Sequence, residues 1–354
     1  MIYTASLSNT NYQFIVKENE TILEAAIRSG VPLNYGCSGG TCGICQAKLI
    51  SGEVKEIKAR EFVIPEADKL QGSILTCVCT LSENSQIEAN VAGSAEDIPA
   101  QKIQVKVRKV EEIARDILRI IVQTPRTKRL RFLAGQYIKI NIESLGDINL
   151  AIASCPCEDR LIELHLRTSE QDQISQQIAQ HMRLGDTLEI EGPFGNFVFD
   201  EHAQRPIILF AFDTGFAAIK SLLEHITAQE QDLAIHLIWM SCGEDGLYMH
   251  NLCRSWHDAL DDFTYSGISL DKTMAGLMEN PQAGCEIVEL SMRETLGSYD
   301  DLSNYDVYVS APAPAVELLK KICFGKNILQ GRFFSEPVRG NEDLSCIVSL
   351  QKEE

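Results

Sequence analysis

The sequence has few basic residues for its size and lacks a long apolar run. Lysine and arginine number 32 against 50 aspartates and glutamates, a formal net charge of -18. Such a surface repels nucleic acid and anionic lipid, so we expect no nucleic-acid partner and instead a partner protein with a basic docking face. No apolar stretch approaches the roughly 20 residues that span a bilayer, and the first residues lack a secretion signal. We therefore expect a cytoplasmic protein without membrane insertion.

The composition is that of a soluble globular protein with more than one domain. The 354 residues are 45% hydrophobic and 23% charged, and at roughly 150 residues per domain they form about two to three domains. Twelve cysteines in a chain without an export signal do not indicate a disulfide scaffold, because the cytosol keeps thiols reduced. Metal ligation is the leading explanation for those that cluster.

Four cysteines have a spacing that brings thiolates together. Cys37, Cys42 and Cys45 follow the pattern C-x4-C-x2-C, and Cys77 comes after a long gap. Sulfide-bridged iron prefers soft thiolate ligands. A zinc knuckle or a chance run is the alternative, although zinc sites usually have a second C-x2-C pair, which is missing. The surrounding glycines are expected to turn through positive φ and direct N–H groups at the sulfurs: Gly36, Gly39, Gly40 and Gly43.

Residues 1–95 resemble a plant-type [2Fe-2S] ferredoxin domain, which has a β-grasp fold. The resemblance rests on the four cysteines, on the helix expected from Thr21 to Ala26, and on the lead-in from Val31 to Gly36. Alternation from Tyr3 to Val16 independently predicts a hairpin. The resemblance implies a [2Fe-2S] cluster held by the four cysteines named above.

The other cysteines have less specific patterns. Cys79 lies two residues beyond Cys77 on a predicted strand, and we favour a buried free thiol over an alternative ligand. Cys155-Pro156-Cys157 could be a redox dithiol or a metal clip, but thiols so placed do not easily form a disulfide, which favours structural thiols. The same interpretation applies to Cys242, Cys253, Cys285, Cys323 and Cys346. The seven histidines have no ligand spacing and receive no role.

The remainder of the chain changes character twice. A small, polar segment over 94–101 indicates a linker, and four short alternating runs then predict an antiparallel β-barrel: Ile103–Arg108, Leu118–Val122, Tyr137–Ile142 and Leu161–Leu166. After Arg205 a strand, a helix and a strand predict a parallel α/β lobe. The fold class is therefore multidomain α+β and α/β, with domains expected at 1–95, 101–202 and 203–340 and a tail at 341–354.

This arrangement resembles the ferredoxin–NAD(P)H reductase superfamily from residue 1 to about 338. The clearest marks are Phe132–Tyr137, Gly192–Phe197 and Asp245–Tyr248. In overall pattern the chain looks most like reductases that serve oxygenases or deoxysugar dehydrases. The resemblance implies that electrons pass from NAD(P)H through FAD to the cluster and then to a partner redox enzyme.

The flavin segment departs from the pattern of the superfamily. Its Arg-x-Tyr-Ser run is replaced by Ile148–Ala151, although the residues that follow, ending in Ser154, are as expected. The lost arginine would pair with the diphosphate, and Arg167 or Lys139 could substitute for it. The next phosphate site reads Gln171–Ser175; there only Ser175 fits, and it could equally be a plain helix cap.

The nicotinamide segment departs in the same way. A Gly-Gly-Thr-Gly turn appears as Phe212–Gly215, in which Thr214 and Gly215 match while Phe212 and Asp213 replace glycines. Later positions read Ser310 and Val338 where the superfamily has cysteine and an aromatic residue. These departures predict that FAD and NAD(P)H binding are impaired.

Three functions stay open at this stage. The first is a [2Fe-2S] electron carrier with the body of a reductase and impaired flavin and nicotinamide sites. The second is an active NAD(P)H-dependent FAD/[2Fe-2S] reductase component of an oxygenase or dehydrase system. The third is a redox sensor or assembly factor that is not an enzyme. Function has to be argued from the site, because the fold alone does not decide between them.

Overall fold

The computed structural model describes residues 2–338, apart from 9, 93, 127, 143–145, 169–171, 202, 243–244 and 271–280. The tail predicted at 341–354, Cys346 and Gln171 lie outside the described residues, as does the side chain of Cys285. Three main β-sheets follow one another along the chain, and they confirm the predicted fold class. The exact domain boundaries stay a prediction.

The first sheet belongs to the ferredoxin-like domain. Its strands run in the order β2-β1-β7-β3-β5, with β1 and β2 antiparallel as the predicted hairpin and β1 parallel to β7. Helix α1 begins with a capping box between Thr21 and Glu24 and buries an apolar face on the sheet. The elements are β1 (Ile2–Leu7), β2 (Gln13–Lys17), α1 (Ile22–Arg28), β3 (Gln46–Ser51), β4 (Val54–Glu56), α2 (Glu66–Leu70), β5 (Ser73–Leu75), β6 (Cys79–Leu81) and β7 (Ser85–Glu88).

The second sheet is antiparallel and curled, with six strands in the order β11-β10-β13-β8-β9-β12. A bridge between Ile152 and Leu164 joins its two ends. Alternation of buried and exposed residues along β8 matches a barrel wall with one face on the core. The elements are β8 (Gln101–Ala114), β9 (Ile117–Gln123), β10 (Tyr137–Ile142), β11 (Gly146–Ala151), β12 (Leu161–Arg167), α3 (Gln173–His181) and β13 (Thr187–Phe194).

The third sheet is parallel, in the order β16-β15-β14-β17-β18. Every residue of β14 is buried, as expected for a central strand covered on both faces. The strand order reverses at β14, and ligands of open α/β sheets bind beyond the carboxyl end of such a strand. The elements are β14 (Ile207–Phe212), α4 (Phe216–Ala228), β15 (Ile235–Cys242), α5 (His250–Ala259), β16 (Phe263–Leu270), α6 (Pro281–Thr295), β17 (Asp306–Ala311), α7 (Ala313–Phe324) and β18 (Phe333–Pro337).

Buried polar contacts join the three units. Lys220 of α4 donates to the carbonyl of Ala153 at 2.9 Å, which ties the lobe to the barrel. Tyr35 donates to Asp159 at 3.0 Å, which ties the ferredoxin-like domain to the barrel. Among the described residues, no helix combines the length and the apolar character needed to cross a membrane.

Candidate functional site

The cysteine loop follows α1 and lies against the turn that carries Cys77. The sulfurs form two pairs: the Cys45 and Cys77 sulfurs are 3.1 Å apart, and Cys37 hydrogen-bonds to Cys42. In the part of the chain that the structure describes, no group of three or more candidate ligands is arranged around one metal ion. Two pairs suit a two-iron cluster, in which each iron takes two thiolates, better than a single zinc ion.

Hydrogen bonds from backbone amides and burial change the pKa values of these thiols. Gly39 N and Thr41 N donate to Cys37 Sγ at 3.4 Å and 3.3 Å, and Cys37 N donates to Cys42 Sγ at 3.4 Å. Burial opposes ionisation of Cys37, but the hydrogen bonds outweigh it and lower its pKa to about 6. The hydrogen bond between the Cys45 and Cys77 sulfurs lowers the pKa of Cys45 to about 7. The partner thiols shift the other way, because burial raises the pKa of Cys42 and the hydrogen bond with Cys45 raises that of Cys77. The fit to the [2Fe-2S] cluster that the spacing predicted therefore rests on the four thiols that the fold brings together as two pairs.

Only two of the four loop glycines have the predicted positive φ. Gly40 and Gly43 have φ of 76° and 75°, and a Cβ at Gly43 would lie 2.4 Å from the ring of Phe62. The prediction is wrong for Gly36 and Gly39, neither of which has positive φ. A Cβ at Gly36 would lie 2.8 Å from the end of the exposed Ile44 side chain, which can move away, and 3.2 Å from Cys42 Sγ. A Cβ at Gly39 would meet nothing closer than 3.7 Å.

Cys79 is 3% exposed in the core of the ferredoxin-like domain. Burial raises the pKa of its thiol to about 11. These observations confirm that Cys79 is buried; that it is a free thiol and not an alternative ligand stays a prediction.

A second candidate site is a cleft between the barrel and the lobe. It lies beyond the carboxyl end of β14, where the sheet topology places ligands. Its walls include the barrel residues Tyr137, Asn149, Ala151, His165 and Arg167 and the lobe residues Thr214, Gly215, Ser310 and Val338. Both sequence segments that depart from the superfamily pattern thus meet in one cleft.

Among the described residues, the lining of the cleft includes a buried amide oxygen, the carboxylate of Glu336 and one cation. Asn149 Oδ1 is buried without a hydrogen-bond partner among the described residues. Ile148, at the position of the lost arginine, is buried in the apolar cluster of the barrel. Of the two suggested substitutes, Arg167 lines the cleft, whereas Lys139 lies 3.6 Å from Asp147 and is not part of the lining. An apolar wall, an orphan acceptor and an arginine fit a flavin or a nicotinamide with its diphosphate.

Of the four predicted cofactor-binding residues outside the cysteine loop, two line the cleft and two do not. Thr214 and Gly215 line the cleft, and a Cβ at Gly215 would lie 2.1 Å from the carbonyl oxygen of Ser310. Ser154 accepts from the backbone of Glu163 at 3.2 Å, so its hydroxyl supports the barrel. Ser175 donates to the carbonyl of Asp172. The interpretation of Ser175 as the helix cap is wrong, because Asp172 caps α3 through its carboxylate. The cofactor roles of these residues stay predictions.

A buried charged network behind the cleft was missed by the sequence analysis. Glu163 contacts His165 at 2.9 Å, Arg119 at 2.7 Å and Lys220 at 3.6 Å. Burial opposes the charge on Glu163, but these partners lower its pKa well below the usual range. Burial lowers the pKa of His165, so the ring is neutral, donates to Glu163 and accepts from Tyr248 at 2.9 Å. The signal was present, since Glu163, His165 and Arg167 alternate with apolar residues along β12 and so share one face of the strand.

The remaining cysteines divide into a disulfide and free thiols. Cys155 and Cys157 form a disulfide with Cα atoms 5.1 Å apart, so the prediction of separate thiols is wrong there. The short Cα distance lies within the range for bridged cysteines, and the intervening proline does not prevent it. Cys242, Cys253 and Cys323 are buried and are not part of a disulfide, which agrees with the interpretation as structural thiols.

Comparison with known families identifies two domains in the chain. Residues 6–82 match the 2Fe-2S iron-sulfur cluster binding domain, and residues 104–199 match the oxidoreductase FAD-binding domain. The second match favours the alternative of an active reductase over the prediction of impaired flavin binding. It also favours FAD, which the altered motifs had placed in doubt.

Similar proteins extend over nearly the whole chain. Protein RfbI of Salmonella typhimurium is 28% identical over 97% of this chain and 99% of its own length. A CDP-6-deoxy-L-threo-D-glycero-4-hexulose-3-dehydrase reductase of Yersinia pestis is 29% identical over 89% of this chain and 92% of its own. A terephthalate 1,2-dioxygenase reductase component of Comamonas sp is 28% identical over 75% and 78%.

Solved structures share the fold. The Amycolatopsis cytochrome P450 reductase GcoB has a TM-score of 0.59 at 21% identity, over 95% of this chain and 98% of its own. Phthalate dioxygenase reductase has a TM-score of 0.52 at 17% identity, over 68% of each chain. The fold of the chain is therefore shared with a cytochrome P450 reductase over nearly its whole length and with phthalate dioxygenase reductase over about two thirds.

Proposed function

We propose that this chain, a member of the ferredoxin–NAD(P)H reductase superfamily with a 2Fe-2S domain and an FAD-binding domain, is the reductase component of a two-protein redox system. It would draw electrons from NAD(P)H and pass them singly to an oxygenase or a dehydrase. The observation that carries the proposal is the pairing of the four thiols in a domain that packs directly on the barrel.

The four cysteines would hold the cluster and the loop amides would tune it. Amides that point at the sulfurs stabilise negative charge and so influence the reduction potential. Cys42 is exposed, whereas Cys37, Cys45 and Cys77 are buried. Cys37 lies two residues after Tyr35, which touches the barrel. Electrons would therefore enter from the side of Tyr35 and leave from the exposed side at Cys42.

The cleft residues would position the flavin and the nicotinamide. A bound flavin supplies the conversion of a two-electron donor into one-electron steps. Asn149 offers its orphan oxygen to a ring N–H, and Gly215 lets a ligand approach the turn closely. The seam between Lys220 and Ala153 keeps lobe and barrel in one orientation, which holds the two sides of the cleft at a fixed separation.

The partner would be a redox enzyme with a basic docking face. The net charge of -18 favours such a surface and speeds encounter at low salt. The relatives named above are reductases of a sugar dehydrase and of an aromatic dioxygenase. We propose that the partner of this chain belongs to one of these two classes of enzyme. The rate of electron delivery should fall as the ionic strength rises.

Purified protein tests the proposal directly. Iron, sulfide and flavin are counted after anaerobic purification, and NADH and NADPH are then added while the cluster absorbance is followed. Cluster, stoichiometric FAD and bleaching by a nicotinamide nucleotide are expected. Cys42→Ser should lose the cluster, and Cys79→Ala, which removes a buried non-ligand thiol, is the matched control. A cluster without flavin would favour the carrier. Partner binding that changes with cluster oxidation but without turnover would favour the sensor.

A further inference from the structure

Asp213 lies at an unusual place for a carboxylate. It forms the turn between β14 and α4, is 3% exposed and has a positive φ of 53°. Glycine adopts this conformation freely, whereas a residue with a side chain is strained in it. A strained, buried, charged residue is retained only when the surrounding structure holds it firmly.

Three groups hold Asp213 in this position. Arg167 binds both carboxylate oxygens, with side chains 14% and 4% exposed for arginine and aspartate. Ser241 Oγ lies 3.4 Å from Oδ1, and Trp239 Nε1 donates to the Asp213 carbonyl at 3.1 Å. Arg167 thus forms a bidentate ion pair with a carboxylate of the same chain.

Arg167 is also the cation that a diphosphate in the cleft would need. Among the described residues that line the cleft, it is the only lysine or arginine. His165 cannot replace it, because Glu163 and Tyr248 occupy its two ring nitrogens. A buried diphosphate without a cation loses much of its binding energy. The ligand and Asp213 must therefore compete for the same guanidinium.

We propose that the Asp213 carboxylate takes the place of a ligand diphosphate on Arg167 in the free protein, so that a dinucleotide binds by displacing it. A carboxylate and a phosphate each present two oxygens that match the arginine fork. After displacement Asp213 would keep Ser241 and lie at the amino end of α4, a helix of 13 residues whose dipole tolerates an anion there. The inference rests on the proposed function, because it presumes a dinucleotide in this cleft.

The competing ligand could be FAD or the nicotinamide nucleotide, since both contain a diphosphate. ADP-ribose carries the diphosphate of the nicotinamide nucleotide without its redox ring, and AMP lacks the diphosphate. Retention of FAD by the purified chain during dialysis tests FAD as the competing ligand. If loss of the Asp213 carboxylate tightens the binding of ADP-ribose but not of FAD, the competing ligand is the nicotinamide nucleotide. If it tightens the binding of FAD but not of ADP-ribose, the competing ligand is the flavin.

The test compares Asp213→Asn with the native chain by calorimetry and by tryptophan fluorescence, since Trp239 contacts Asp213. Removal of the competing charge should tighten ADP-ribose or FAD about ten- to hundredfold, the range for a gained charge-assisted hydrogen bond. AMP should be unaffected. Asp306→Asn is the matched control, because Asp306 is also 3% exposed, faces Arg205 and sits at the opposite end of the same sheet.

Two further variants keep the result decisive. Asp213→Gly removes the carboxylate and the backbone strain together, and it should tighten binding even if the asparagine variant folds poorly. Arg167→Gln, combined with Asp213→Asn or with Asp213→Gly, should abolish the tighter binding. Unchanged binding in folded Asp213→Asn and Asp213→Gly, or native binding in Arg167→Gln, would overturn the inference. If the protein lacks flavin turnover yet Asp213→Asn tightens ADP-ribose, the proposed function fails and this inference stands.

Discussion

The seam between the ferredoxin-like domain and the barrel contains a buried tyrosine, beside hydrogen bonds from Arg131 to Asn34 and Pro32. Tyr35 is 7% exposed and donates to Asp159, which is 6% exposed and also pairs with Arg129. Tyr35→Phe deletes the hydroxyl and leaves the ring and the ion pair in place. A hydrogen bond to a charged group contributes about 1.5–3 kcal/mol, so we expect the free energy of unfolding to fall by about that amount.

Asp159→Ala should cost more, because it also leaves Arg129 without its partner. Breaking a buried pair costs about 3–5 kcal/mol. Once Asp159 is alanine, removing the Tyr35 hydroxyl should cost almost nothing further, so the double variant should differ little from Asp159→Ala.

Urea unfolding measures the loss of stability, and anaerobic stopped-flow kinetics measure the rate of electron transfer from the flavin to the cluster. The same loss should loosen the docked domain and slow electron transfer from the flavin to the cluster, while reduction of the flavin by nicotinamide nucleotide is unchanged. Tyr305→Phe, in the lobe, is the control. A Tyr35→Phe variant within 0.5 kcal/mol of the native chain, about the scatter of surface substitutions, with unchanged internal electron transfer, would refute the reasoning.

Three further predictions concern the cluster and the buried network. Gly43→Ala should lower the iron content per chain, because φ is 75° and the new Cβ would lie 2.4 Å from an aromatic ring; Gly39→Ala, which meets nothing within 3.4 Å, should keep native iron. Cys79→Ala should keep the visible spectrum of the cluster and Cys77→Ala should lose it; equal spectra would contradict the ligand assignment. The lowered pKa of Glu163 contributes stability that is present above the unfolded value of about 4.3 and lost as the pH falls below it. Because the loss begins only below about pH 4.3 and continues toward the much lower folded pKa, urea titrations from pH 6 to 3 should show a smaller loss of stability in Glu163→Gln than in the native chain, and parallel curves would contradict this.

Local chemistry explains why the sequence alone predicted the cluster. The spacing of Cys37, Cys42 and Cys45 places three ligands within one loop, and the fourth follows a short strand. Periodicity likewise predicted the hairpin, the barrel strands and the parallel lobe, because each pattern reflects contacts within or between neighbouring strands. These features need no knowledge of distant packing.

Contacts between distant segments decided the rest. The bond between Arg167 and Asp213 joins residues 46 apart, and the bond between Tyr35 and Asp159 joins residues 124 apart. The sequence showed that a glycine had become Asp213, but not that an arginine neutralises it. The chain by itself determined which residues could bind iron and which elements form. The tertiary structure decided which charges are buried together, because burial and pairing depend on how separate elements pack.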